Sequence, residues 1–189
     1  ADPGNPAIQK LIDTLVKARV VMVTTPSAVN RRISDEELAI LHPHERARYL
    51  ALMAAPPPWL PDANGLRELR KLDRTFAAAG GRIGVGADPM DFGLIAGYAN
   101  HRALALLVED GWTPLEVIRL ATSNGASLLG IGDETGTVRA GLAADLLIVD
   151  GDPSRDIADL SRVHLVFRDG LGYDPGKLGA AARGLVGWD

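Results

Sequence analysis

Arg82-Ile83-Gly84-Val85-Gly86-Ala87-Asp88 is the stretch on which the reading of this chain turns. It is a compact apolar run bounded upstream by Gly80-Gly81, which ends a helical pattern from Leu66 to Ala79, and downstream by the Asp88-Pro89 turn signal. A helix feeding a short strand is half of a β/α repeat, and the same step occurs once before. Asn5 and Pro6 read as a helix start, and Ile8, Leu11, Ile12, Leu15 and Val16 recur at helical spacing to about Ala18. Val20-Val21-Met22-Val23-Thr24-Thr25 then forms a β-branched run closed by Pro26, apolar on both faces, as suits a parallel strand covered by helices. In a parallel barrel the reactive groups stand at the C-terminal ends of the strands, and Asp88 occupies that place. Two roles are open to it on position alone: a proton-transferring carboxylate at the mouth, or the residue that initiates the Asp88-Pro89 turn.

Between the two strands lie Ser34 and Glu37, spaced as a capping box for a polar helix, and a second helix from Glu45 to about Ala54 separated from it by Pro43. Ala55 to Asn64 carries four prolines and Trp59 and reads as a rigid surface loop. After Asp88, Pro89 to Gly97 reads as a mobile stretch, followed by a helix from about Asn100 to Glu109. A further helix started by Thr113-Pro114 runs to about Thr122, with a short one after it to Gly130. The grammar then changes. Gly136 to Gly141 is turn-rich, Ala144 to Val149 and Val163 to Phe167 read as strands, and Asp169-Gly170 as a turn. Two β/α steps followed by hairpin material fit the closing portion, about two β/α units, of a TIM (β/α)₈ barrel that hands over to the strands of a small β-sandwich domain. The class is therefore α/β, with expected divisions at 1–130 for the barrel part, 131–173 for the β module and 174–189 for a loosely packed tail.

Composition narrows the function classes. The 189 residues are 47% hydrophobic and 23% charged, as in a globular domain. A net charge of −4, with 20 basic residues scattered along the chain, leaves no footprint for nucleic acid. The absence of cysteine excludes thiolate metal sites, disulfides and a cysteine nucleophile, so any metal must be held by His and carboxylate. No basic segment followed by an apolar one opens the chain and no run of about 18 apolar residues occurs, so no membrane is expected and a cytoplasmic location is favoured.

Gly80 to Asp88, followed by His101-Arg102-Ala103-Leu104-Ala105-Leu106-Leu107-Val108, Thr113-Pro114-Leu115-Glu116, Ala121-Thr122-Ser123-Asn124-Gly125-Ala126 and Leu129-Gly130, resembles the amidohydrolase superfamily, in particular its imidazolonepropionase-like and dipeptidase-like branch. Gly136 to Gly141, Ala144-Asp145-Leu146, Asp150 to Pro153 and Val163 to Gly170 continue the likeness, and Asn5 to Pro26 is similar to the helix and seventh strand of that barrel. The chain departs from the pattern at Ala103, where the family has an acidic residue, and at Thr25-Pro26, which inverts the family's order.

The resemblance implies a hydrolase of carbon–nitrogen bonds other than ordinary peptide bonds, acting on cyclic amides, imidazolones or small acylated dipeptides. A divalent metal, expected to be zinc, would activate water. Asp88 would then be the aspartate after the eighth strand, touching the metal and shuttling the proton. The family's other metal ligands belong to strands that should precede Ala1, so this chain is expected to lack most of them and to be inactive alone. Its partners would be a small-molecule substrate and either the missing N-terminal portion or further copies of itself. The rival is a non-catalytic truncated or split fragment that docks on a complementary chain.

The remaining candidates divide more simply. His101, near the start of its helix, is a candidate substrate contact. His42-Pro43-His44 imitates an H-x-H metal motif, but a helical run precedes it instead of an apolar strand, which places both histidines on a solvated inter-helix turn. His164 alternates with Val163 and Leu165 and reads as a sheet-surface residue. Gly84-Val85-Gly86 lacks the third glycine of a dinucleotide loop and is read as allowing close packing, and Asp145 as structural.

Overall fold

A computed structural model describes residues 2–26, 33–55, 63–89 and 95–187. The first half builds α1 (Pro6–Lys17), β1 (Val21–Thr24), α2 (Asp35–Ile40), α3 (Pro43–Ala54), α4 (Ala63–Ala78) and β2 (Arg82–Val85). The second half adds α5 (Tyr98–Glu109), α6 (Pro114–Arg119), α7 (Gly125–Leu129), β3 (Leu146–Val149), β4 (Val163–Arg168), β5 (Leu171–Tyr173) and α8 (Pro175–Ala182). The expected surface loop lies largely at 56–62, and the stretch after Asp88 at 90–94, both outside the described residues.

Local chemistry sets the helix starts. The Asn5 side chain accepts the Ala7 N–H at 2.9 Å beside Pro6 in the first turn of α1. Ser34 and Glu37 close the predicted capping box of α2, and Thr113 with Glu116 makes a second one at α6. Leu120 to Asn124 is a π-helical turn that joins α6 to α7, so the helix read to Thr122 and the short one after it are one interrupted run.

The strands β1 and β2 pair in parallel, setting Met22 against Ile83, Val23 against Gly84 and Thr24 against Val85. Paired residues share a face, so Met22, Thr24, Ile83 and Val85 lie on one side and Val21, Val23 and Gly84 on the other. The first side is buried under the main core, in which Ile83 meets Ile12, Phe76, Leu104, Leu107, Trp112, Val117 and Leu120. The second side is different. A Cβ on Gly84 would stand 2.8 Å from the Leu128 methyl, so α7 covers the β2 half. Val21 and Val23 remain 40% and 56% exposed. The Val20 to Thr25 run, apolar on both faces, is thus covered by helices on one face and leaves an apolar patch on the other. The main core lies on the helix side of the pair, whereas the inner face of a barrel is filled by side chains from its other strands.

Edges follow the same logic. The Gly86 N–H donates to the Thr24 carbonyl at 2.9 Å, so alternate residues Ile83 and Val85 aim their backbone groups away from β1. The Asn124 side chain donates to the Ile83 carbonyl at 3.4 Å and covers part of that outer edge. Among the described residues β1 pairs with β2 alone and no closed barrel forms.

β3, β4 and β5 form a separate antiparallel sheet in that order. The link between β4 and β5 is Asp169-Gly170, with φ of 50° and 77°, the positive pair that a tight hairpin turn requires. Asp145 fixes this turn, accepting the Asp169 N–H at 2.8 Å and pairing with Arg168, which is the structural role read for it. Among the described residues no second sheet faces this one, so the expected sandwich is a single layer. A 3₁₀ turn, Ile157–Ser161, inserts Ile157 and Leu160 into the main core and anchors the small sheet to the barrel part. The segment read as a loosely packed tail carries α8, capped by Asp174 and without a buried residue, and the residues beyond it bond to the stretch 39–42.

An exposed apolar face beside an unpaired strand edge favours association. The 189-residue chain alone is expected to self-associate in light scattering, and Val23→Lys to reduce that association. A monodisperse monomer with one sharp unfolding transition would contradict the open-sheet description.

Candidate active site

The parallel register places the loops after β1 and β2 at the same end of the sheet. Asp88 stands there, three residues beyond the end of β2, exposed, with φ of 44°. A left-handed backbone costs a residue with a Cβ roughly 1–2 kcal/mol, although aspartate tolerates it better than most. Strain of this kind concentrates at functional positions. Among the described residues no hydrogen bond or ion pair engages the Asp88 carboxylate.

His101 lies in the first turn of α5, which begins ten residues after Asp88 with Gly97 as its cap. Its side chain is half-buried, and burial alone lowers its pKa below the usual histidine value. The ring is thus held toward its neutral form. Its Nδ1 is buried without a hydrogen-bond partner among the described residues. A neutral imidazole with one uncommitted nitrogen can donate to or accept from a polar substrate group.

The helices α2 and α3 are inserted between β1 and α4, and they sit against the start of α5. Glu37, buried in α2, accepts the Ser34 N–H at 2.6 Å through one carboxylate oxygen and bonds Arg102 through the other. Arg102 neighbours His101, so the insertion is tied directly to the turn that carries it. Burial, with Glu36 and Glu37 nearby, raises the Tyr98 pKa. Tyr98 also packs on a second core of Ile33, Leu38, Ile40, Leu41, Tyr49 and Ile95. The Tyr49 hydroxyl accepts the Ile33 N–H at 3.0 Å within it.

His42 and His44 play the parts their turn suggests, with one correction. His42 is half-buried, not solvated: its Nδ1 accepts the His44 N–H at 3.4 Å as the cap of α3, and its own N–H donates to the Val186 carbonyl at 2.8 Å. The His44 side chain is 70% exposed beside Glu45. His164 is exposed on β4 within 3.7 Å of Asp150. Among the described residues no group of three or more His, Cys, Asp or Glu could hold a metal ion. The described residues therefore do not complete a coordination shell around Asp88.

One buried pair escaped the sequence reading. Thr24, at the end of β1, donates its hydroxyl to Asp73 of α4, and both side chains are buried. Arg67, Arg70, Asp73 and Arg74 look like a solvated helix face in sequence. In the fold Arg70 and Arg67 bond Asp110, the C-cap of α5, and the exposed Arg74 lies over the Trp112 ring at 5.8 Å, so of this face Arg70 and Asp73 are the residues drawn into the packing.

A family model described as the amidohydrolase family matches residues 13–171. No curated protein matches the chain. Among solved structures, a putative prolidase from Bifidobacterium longum is 35% identical, with a TM-score of 0.50, over 58% of this chain and 26% of its own. An amidohydrolase from Thermotoga maritima is 18% identical with a TM-score of 0.58, over 89% of this chain and 35% of its own. A Xaa-Pro dipeptidase is 24% identical with a TM-score of 0.55, over 88% and 48%. The latter two show the fold alone. This chain spans between 26% and 48% of the lengths of these three structures.

Burial raises the Asp73 pKa, with the Thr24 hydrogen bond and Arg70 opposing, so its folded value exceeds its unfolded one. Its contribution to stability is then fully present below the unfolded pKa and is lost as pH rises through the folded value. Asp73→Asn keeps an acceptor for Thr24 and removes the buried charge. Chemical denaturation should show this variant as stable as the parent or more so at pH 7, with a flatter dependence between pH 4 and 7. A loss above about 1 kcal/mol at pH 7 would instead mean that the carboxylate's attraction to Arg70 outweighs its desolvation.

Proposed function

Since this chain belongs to the amidohydrolase family, we propose that it supplies the proton-transferring carboxylate, Asp88, of a metal-dependent hydrolase that cuts carbon–nitrogen bonds in cyclic amides, imidazolones or small acylated dipeptides. The observation that carries this reading is Asp88 itself: an exposed, strained carboxylate at the C-terminal end of a parallel strand, inside the segment the family model matches. The similarity to the putative prolidase favours dipeptide-like amides within that class.

A divalent metal, zinc by the family's chemistry, would supply Lewis acidity and lower the pKa of water at the site. Asp88 would be its ligand from this chain, with the remaining ligands on other strands. The Asp88 carboxylate accepts a proton from the attacking water and returns it to the departing nitrogen, which would otherwise leave as a poor amide anion. His101, kept neutral by burial, bonds a polar group of the substrate. The exposed Val21 and Val23 face meets the side chains that fill the barrel interior, contributed by an N-terminal portion or by an associated chain. The divisions 1–130, 131–173 and 174–189 then correspond to barrel, β module and a C-terminal segment.

A non-catalytic fragment docked on a complementary chain is the second reading, favoured by the incomplete ligand set among the described residues. Metal analysis separates the two. The assembled protein binds stoichiometric zinc under the first reading and none under the second.

In the assembled enzyme Asp88→Asn is expected to lower kcat by about 10² to 10⁴, the range of general acid–base catalysis, with the fold intact and most of the metal retained. Steady-state kinetics with metal analysis checks this, and near-full activity in the variant would remove Asp88 from the mechanism.

A further inference from the structure

β1 and β2 begin at one end of the parallel pair, the end away from Asp88, and the helices that feed them stop there in the same way. After α1 the Arg19 N–H donates to the Val16 carbonyl at 3.0 Å and the Val20 N–H to the Leu15 carbonyl at 3.0 Å. After α4 the Gly80 N–H donates to the Ala77 carbonyl at 3.0 Å and the Gly81 N–H to the Phe76 carbonyl at 2.9 Å. Each is a Schellman ending, in which one residue takes a left-handed backbone and glycine is the usual occupant. Gly80 follows that rule at φ 87°, whereas the equivalent position after α1 is Arg19 at φ 55°. The strand register of Val21 against Arg82, carried back two residues, sets Arg19 opposite Gly80. An arginine is thus kept where a glycine would serve the turn at less steric cost.

The two turns border a cavity of about 300 Å³ lined by Val16, Arg19, Val20, Gly80, Gly81 and Arg82. Two guanidinium groups and no carboxylate belong to that lining. Arg19 is exposed and has no hydrogen bond or ion pair among the described residues. Arg82 donates through one nitrogen to the Ser127 carbonyl at 3.5 Å, which leaves the rest of its fork uncommitted among the described residues. The glycine wall is held open by packing, since a Cβ on Gly81 would stand 2.3 Å from the buried Phe76 ring. The C-terminal ends of α1 and α4 oppose an anion, each presenting about half a negative charge. Two full positive charges outweigh them, and the four bonds above already engage carbonyls of both ends.

We propose that this cavity binds a phosphate group, held between the guanidinium groups of Arg19 and Arg82. The planar fork matches phosphate oxygens in pairs, and a phosphate's nearly two negative charges offset both arginines, where a carboxylate would offset one. Val16 and Val20 supply an aliphatic wall for the remainder of a small organic phosphate. The site lies apart from Asp88 and does not rest on the hydrolase reading.

The test is a phosphorus NMR titration of the 189-residue chain in low-salt buffer, with inorganic phosphate and with n-butyl phosphate as probes. Arg19→Gly and Arg82→Gln are compared with Arg139→Gln, an exposed arginine outside the cavity, as the control. The parent should bind saturably, both cavity variants should bind at least about tenfold more weakly, and the control should match the parent. Tighter binding of the butyl ester assigns the site to an organic phosphate, and equal or weaker binding assigns it to free phosphate. Arg19→Gly also separates a ligand role from a purely structural one, because relief of the left-handed backbone should raise Tm by about 2–4 °C while binding is lost. Retained binding in that variant, or a lower Tm, would show that Arg19 serves only the helix end and overturns the site. Absence of saturable binding by the parent, or an equal loss in the control, overturns it as well.

Discussion

The parallel pairing of β1 with β2, sealed at its end by the Gly86 N–H on the Thr24 carbonyl, is the constraint from which the rest of the molecule follows. It aligns the two strand ends, so that the chain leaves both strands, toward Asp88 in the second case, at one end of the sheet. It also divides the sheet into a face that the helices bury and a face they do not. Thr24 is fixed from both sides, its carbonyl by Gly86 and its hydroxyl by the buried Asp73. A carboxylate buried at this junction is costly to ionise, which indicates that the α4 to β1 contact is held for position more than for stability.

The energetic character of the two faces differs. On the helix side, residues as large as Leu107 and Val117 are fully buried, and each such side chain contributes about 1.5–3 kcal/mol relative to exposure. On the opposite side Val21 and Val23 gain little of this. This chain covers 48% and 35% of the longer solved structures that it matches in part. The chain thus contains a partial amidohydrolase fold in which helices bury one face of the parallel pair and leave much of the other exposed.

Much of this was legible from sequence because it rested on local rules. The capping box at Ser34, the Asn5-Pro6 and Thr113-Pro114 starts and the Gly80-Gly81 stop depend on neighbouring residues, and they fix α1, α2, α6 and the entry to β2. Asp88 could be placed because the strand before it is unambiguous. The β5 strand was missed although Asp169-Gly170 announces a hairpin, since the residues after it are short and fully exposed and give no alternation to read. The Asp73 to Thr24 pair and the Glu37 to Arg102 pair were invisible for a different reason: each joins residues 49 and 65 positions apart, and a charged residue on a helix reads as solvated until tertiary packing turns it inward. The pairing of residues 184–186 with 39–42 was missed on the same ground, because Gly- and Ala-rich sequence carries no periodicity to read.

The central claim is that Asp88 meets the metal at the mouth of a completed barrel. The most direct measurement is anomalous scattering from a zinc-loaded crystal of the assembled protein. The account predicts a single strong peak at about 2.0–2.2 Å from an Asp88 carboxylate oxygen, with its other ligands on strands outside this chain. A peak coordinated by His42 and His44, or one with Asp88 well beyond ligand distance, would contradict it.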